Sequence, residues 1–376
     1  MRIGIYTQPL RLNYGGILQA WALQTVLRHM GHEVVTLDPY PFLRLSWKSL
    51  PVIYAKRIVK KLMGSKSAIL LEKHINKEYI NKSQYLRPFI ETHIRRKEFK
   101  NVHELQQSDY DLLIAGSDQV WRPKYNTTYG RTIYNAFFDF AENWNVKRIA
   151  YAASFGTDEW EYNEKQTRRC SRLASLFSAI SVREVSGINL CKKYLGVDAT
   201  HVLDPTMLLN REDYDEIIQN GVDTHAPSGN LLCYLLDNRL ETETLIAEVA
   251  RTKGLTPFKT NFANNSATTD GQVQPPVEQW LRNFKEADFV VTDSFHACVF
   301  SIIFRKPFVA IANKKRGVSR FESLLAAFHL EDNLIHSASE YHPDFSYAVT
   351  KEAEDSLASE RIASMQFLFD ALNIES

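Results

Sequence analysis

Cysteine is scarce in this chain, long apolar runs are missing, and neither sign of charge has a meaningful excess. The four cysteines, Cys170, Cys191, Cys233 and Cys298, stand 21, 42 and 65 positions apart, which fits neither zinc-ligand spacing nor a dense disulfide framework. They read as buried thiols in a reducing compartment. No window approaches the roughly 20 apolar residues of a membrane span. The opening MRIGIYTQPL has no basic flank ahead of an apolar core of leader length, so the expected location is cytoplasmic. No strand is followed by a complete G-x-G-x-x-G, which weakens a dinucleotide reading. With no cluster of metal-ligating residues evident, the expectation is metal-independent chemistry with no resident cofactor. Internal repeats and low-complexity segments are also missing.

What is present is a soluble globular composition over 376 residues, more than one core ordinarily supports, so two domains are expected. Net charge is +1, but residues 41–100 hold 15 Lys or Arg against 4 Glu, a local balance of +11. Those cations alternate with apolar residues such as Trp47, Ile53, Ile58, Leu62 and Met63. The pattern suits an amphipathic surface resting on an acidic membrane face, and equally a solvated helical face with an ordinary core side. No nucleic-acid module accompanies the charge. Helices are expected here, broken at Pro51, around Gly64 and at Pro88.

The stretch ADFVVTDSFHACVFSIIFRKPFVAI, residues 287–311, reads as strand, sharp turn, helix and strand. Phe289 to Val291 suit a strand buried on both faces, Asp293 and Ser294 offer helix caps, and His296 falls in the first helical turn. Helix N-termini at the carboxyl ends of parallel strands attract anions, and NKKRGVSR just downstream supplies Lys314, Lys315, Arg316 and Arg320 as cationic partners. Near the start, a strand at Ile3 to Tyr6 leads to Asn13, Tyr14, Gly15 and Gly16 before a helix. A glycine turn there allows close approach of a ligand to backbone. A strand over Tyr110 to Ala115 ends in Gly-Ser-Asp-Gln with Trp121 beyond it. Asp118 there can activate a sugar hydroxyl and Trp121 can stack on the sugar, or Ser117 and Asp118 can simply cap a helix. The strand AISVR ends on Arg183, suited to a bidentate contact with an anion or to a structural ion pair. These pieces describe an α/β protein with domains at 1–205 and 230–350, a connector at 206–229 and a C-terminal helix at 351–376.

Taken together, NYGGILQAWALQ, YDLLIAGSDQVW, RIAYAASFG, SVRE, VLDPTMLL and TDSFHA followed by RKPFVAI and NKKRG resemble the polysaccharide pyruvyl transferase family over nearly the whole chain. The resemblance implies two Rossmann-like domains facing across a cleft, as in GT-B glycosyltransferases; the C-terminal helix, following the second domain, is expected to pack back across the first. It implies transfer of pyruvate from phosphoenolpyruvate, as co-substrate, onto two sugar hydroxyls as a cyclic ketal in surface polysaccharide synthesis. His296 and Arg183 match positions that the family pattern associates with the donor pocket, and a cation near Arg316 is expected beside them. Many relatives carry Arg where this chain has Ser294 and Gly where it has Ala297, a departure that also admits another anionic donor. The resulting expectation assigns His296, Asp118 and Arg183 to catalysis and Ser294, Lys314, Lys315, Arg316 and Arg320 to the donor. Asn13, Tyr14, Gly15, Gly16 and Trp121 are assigned to a saccharide acceptor, carried on a lipid diphosphate if residues 41–100 rest on the inner membrane surface. A nucleotide-sugar glycosyltransferase and a noncatalytic sugar-binding relative are the alternative functions.

Overall fold

The computed structural model describes residues 1–43, 50–64, 69–127, 131–221, 228–237, 239–260, 273–313 and 317–373. Lys314, Lys315 and Arg316, the centre of the expected donor loop, lie outside the described residues.

The first half folds on β1 (Arg2–Tyr6), β2 (Glu33–Pro39), β3 (Arg96–Phe99), β4 (Leu112–Ala115), β5 (Lys147–Ala153), β6 (Ala179–Val182) and β7 (Thr200–His201). They form one parallel sheet in the order β3-β2-β1-β4-β5-β6-β7. The second half folds on β8 (Leu231–Tyr234), β9 (Pro257–Lys259), β10 (Phe289–Thr292), β11 (Phe308–Ile311) and β12 (Leu334–Ile335), parallel in the order β12-β11-β10-β8-β9. The strands β4, β8, β10 and β11 are buried at every position, as apolar runs covered by helices on both faces must be. Each sheet reverses its winding once, between β1 and β4 in the first and between β8 and β10 in the second. The protein is therefore two Rossmann-like units facing across a cleft, the GT-B arrangement.

The terminal helix Lys351–Asn373 packs back onto the first unit. Arg361 donates to the carbonyls of Met207 and Leu209 at 2.7 and 3.0 Å, Ser364 Oγ accepts from Leu203 N at 2.9 Å, and Lys147 Nζ reaches the Leu372 carbonyl at 3.0 Å.

Three local expectations change. Gly15 and Gly16 do not form a turn; they occupy the first turn of α1 (Tyr14–His29). Pro51 and Pro88 do not break helices. They sit in the opening turns of α2 (Leu50–Leu62) and of Leu86–His93, where a missing N–H leaves no intrahelical bond unmade; α3 (Leu71–Ser83) lies between. The polar run RKEF was not read as a strand, yet it forms edge strand β3, where β2 alone supplies its pairing.

Candidate active site

Ligands in open α/β sheets bind beyond the carboxyl ends of strands where the winding reverses, and here both reversal points open onto one cavity of about 560 Å³. From the first unit, the segments after β1 and β4 contribute Gln8, Asn13, Gly15, Asp118 and Gln119. From the second, the segments after β8 and β10 contribute Leu236, Asp293, Ser294 and His296. The two glycine and histidine motifs, 281 positions apart, thus meet face to face.

Their contact is tight. A Cβ on Gly15 would overlap the His296 ring at Nδ1 and Cγ, so only glycine lets the α1 N-terminus approach the imidazole this closely. His296 sits in the first turn of Phe295–Ile303, a helix buried at all nine positions. Ser294 stands at the N-cap but does not cap the helix with its side chain. Asp293 Oδ1 instead accepts from Leu236 N at 2.6 Å, tying the β8 and β10 turns together, while Ser294 lines the cavity.

On the far edge of the ring, Nε2 lies 3.6 Å from Asp204 Oδ2. Asp204, in the VLDPTMLL motif, was not singled out as a site residue, and it is the hub of the buried network. Its Oδ2 accepts from Arg183 Nη1 at 2.7 Å and Ser117 Oγ at 3.0 Å, and its Oδ1 accepts from Thr206 N and Oγ1 at 3.0 and 2.7 Å. Burial works against ionisation of Asp204, but His296 and Arg183 together outweigh it and hold the carboxyl well below the usual carboxylate range. Arg183, 3 % exposed, does not line the cavity. It lies behind the wall, with Nη2 3.6 Å from Asp118 Oδ1 and its guanidinium carbon 4.4 Å from the centre of the Phe295 ring. Burial opposes its charge, and Asp204 and Asp118 more than restore it. Arg183 therefore lies behind the surface on which it was expected, in ion pairs with Asp118 and Asp204.

Asp118 holds a left-handed backbone, φ 63°, rare for a residue with a side chain and a recurrent mark of functional turns. Its carbonyl receives Val120 N at 2.7 Å and Ser154 N at 3.2 Å, which holds the strained turn. Asn13 Nδ2 donates to Asp118 Oδ2 at 3.2 Å, and Gly16 packs beneath that pair.

Three expected acceptor residues do not line the cavity, Gly16 beneath the Asn13–Asp118 pair and two aromatics. Trp121 is fully buried, stacked on Phe137 at 4.7 Å with its indole N–H donating to the Ala136 carbonyl at 3.1 Å. Tyr14 is buried against Trp280 at 5.1 Å, and its hydroxyl donates to the Pro275 carbonyl at 2.7 Å. Both are core aromatics whose single polar atom has found a backbone partner.

Two cavity arginines carried no sequence signal. Arg11 lines the cavity and pairs with Asp38 at 3.3 Å. Arg131 is buried in the wall, donating to Gln8 Oε1 at 3.1 Å and the Tyr125 carbonyl at 2.6 Å. Among the described residues no carboxylate pairs with Arg131 in an ion pair, and burial lowers it from the ordinary guanidinium value. Arg320, expected from the sequence, lines the same cavity, and burial, reinforced by nearby Arg183, lowers it to about 10.

The family pattern described as polysaccharide pyruvyl transferase matches residues 13–315, a span that includes Asn13, Gly15, Asp118, Arg183, Asp204 and His296. The chain belongs to the polysaccharide pyruvyl transferase family. No curated protein matches its sequence. Among solved structures it is similar to Arabidopsis thaliana UGT89C1 complexed with UDP-L-rhamnose, at 9% identity and TM-score 0.48, covering 99% of this chain and 97% of that one. It is also similar to Methanocaldococcus jannaschii UDP-GlcNAc 2-epimerase in complex with UDP-GlcNAc and UDP, at 11% identity and TM-score 0.46, covering 98% and 100%. A third is Acinetobacter baumannii MurG, at 8% identity and TM-score 0.42, covering 99% and 95%.

Proposed function

We propose that this family member transfers pyruvate from phosphoenolpyruvate onto two hydroxyls of a saccharide as a cyclic ketal, the saccharide being carried on a lipid diphosphate during assembly of a surface polysaccharide. The observation that carries the donor assignment is Arg131, a buried cation on the cavity wall with no carboxylate paired to it among the described residues. Buried charges are ordinarily paired, and a small polyanion bound between Arg131, Arg320 and His296 would supply the missing charge. A carboxylate and a phosphate on one three-carbon unit suit guanidinium forks from two sides.

The reaction asks for a proton at the methylene carbon of the donor and addition of a sugar hydroxyl to the adjacent carbon. The bond from that carbon to the phosphate oxygen then breaks, its electron pair leaving on phosphate, and the second hydroxyl closes the ketal. The two hydroxyl protons balance the proton taken up at the methylene and the one carried off on phosphate. His296, backed by Asp204, and Asp118, held by Asn13, are the cavity groups placed to share these transfers. Arg183 aligns both carboxylates from behind.

The test is incubation of the protein with phosphoenolpyruvate and a panel of saccharide acceptors, followed by mass and phosphate analysis. The expected result is an acceptor heavier by one pyruvate less one water, with inorganic phosphate released in equal amount. Release of nucleoside diphosphate from a nucleotide sugar, without use of phosphoenolpyruvate, would replace this reading with glycosyl transfer. No turnover with either donor would favour a sugar-binding relative.

A further inference from the structure

Helix α2 (LPVIYAKRIVKKL) contains no buried residue. At 100° per residue, Val52, Ala55, Ile58, Val59, Leu62 and the following Met63 fall on one side. All six are exposed, Leu62 and Met63 by 83% and 81%. Five of the fifteen exposed large hydrophobic side chains among the described residues come from this stretch, so it is a concentrated apolar face rather than surface scatter. The opposite side holds the helix to the protein: Ile53, Tyr54 and Arg57 are half-buried, and Arg57 grips Glu72 of α3 in a two-pronged pair at 2.6 and 2.8 Å. Lys56 and, farther round, Lys60 are exposed along one margin of the apolar face, while Lys61, also exposed, falls on the opposite side.

A helix with an outward apolar stripe flanked on one side by lysines matches an anionic bilayer surface, where the stripe enters the acyl boundary and the ammonium groups meet lipid phosphates. Charge complementarity is regional as well, since residues 41–100 carry +11 while the whole chain carries +1. Helix α3, to which Arg57 ties α2, reaches the cavity residues. The Tyr79 ring of α3 lies 5.8 Å from the guanidinium of Arg11, which lines the cavity, and Lys82 O of α3 accepts from Gln274 N at 3.4 Å, whose side chain bonds the Leu12 carbonyl at 3.0 Å.

We propose that the outer face of α2 is an in-plane membrane anchor, with Val59, Leu62 and Met63 inserted in an anionic leaflet, and that it presents the cavity mouth to a lipid-linked saccharide. The second clause rests on the acceptor reading above; the first does not. The experiment is flotation of the full chain with phosphatidylcholine vesicles, with and without phosphatidylglycerol. It compares the native sequence with Val59→Asp/Leu62→Asp and with Lys56→Gln/Lys60→Gln, with melting curves as the folding control. The native protein is expected to float with the phosphatidylglycerol vesicles. The apolar-face variant should lose binding by about tenfold or more, and the lysine variant should lose mainly the part that added salt removes, all with unchanged melting. Absence of flotation at low salt overturns the proposal, as does equal flotation of Val59→Asp/Leu62→Asp. A native dimer that this variant splits, without vesicle binding, would assign the face to a second copy instead. Flotation needs no donor, so an anchor that binds in a protein that fails the phosphoenolpyruvate assay would overturn only the proposed reaction.

Discussion

Gly15 is the position at which a single methyl group should decide whether the cavity is assembled. A methyl there collides with the His296 ring, and close-packed interiors answer such insertions by shifting backbone at a cost of about 1–3 kcal/mol. Because helix propensity alone would favour alanine by up to about 1 kcal/mol, any destabilisation by Gly15→Ala reports the collision. Turnover is expected to fall about a hundredfold, since a displacement of about 1 Å at reacting groups has that effect. A double-mutant cycle separates the clash from other causes: in a His296→Ala background, Gly15→Ala should no longer lower the melting temperature. If the glycine substitution costs the same stability with and without the imidazole, the collision is not its cause. Tyr14, next in the chain, shows how little residue type alone reveals, since it shares the motif yet points into the core.

The Asp204 segment matters as an element, because it joins the two sheets' chemistry while the terminal helix braces it from outside through Arg361 and Ser364. Asp204→Asn removes the charge that compensates Arg183, and breaking one partner of a buried pair costs about 3–5 kcal/mol. The pH dependence follows from the lowered carboxyl. Its stabilising share is fully present above the unfolded value of about 4 and is lost as pH falls from there toward the folded value. The gap in melting temperature between native protein and Asp204→Asn should therefore be constant from neutrality to about pH 5 and shrink below about pH 4. A gap of full size at about pH 3 would mean that Asp204 acts through packing rather than charge. The VLDPTMLL motif was visible as a pattern, but its aspartate's role was not, because its partners lie at 117, 183 and 296.

At the scale of the whole molecule, cations from both units face one cavity, so the proposed donor would be gripped from both sides of the cleft. Arg131→Gln and Arg320→Gln should each raise the KM for phosphoenolpyruvate by about tenfold or more, the usual loss for a hydrogen bond to a charged group. The acceptor KM should change less than about twofold. If Arg131→Gln spares the donor and damages acceptor use, the anion is held by the second unit alone. Local pattern was enough to place β1, β4, β10, β11 and the turn bearing His296, because apolar runs, helix starts and turn residues act over a few neighbouring positions. It was also enough to show the basic, apolar-interleaved segment and the family motifs. Packing decided what those motifs do. It put Trp121 and Tyr14 in the core, since an aromatic side chain gains more from burial than from exposure once its one polar atom is bonded. It also put Arg183 behind the wall and Arg131 in it. Which side of a helix or turn meets a partner more than a hundred residues away is set by how two separately wound sheets close on each other, and that closure leaves no trace in the periodicity of either one.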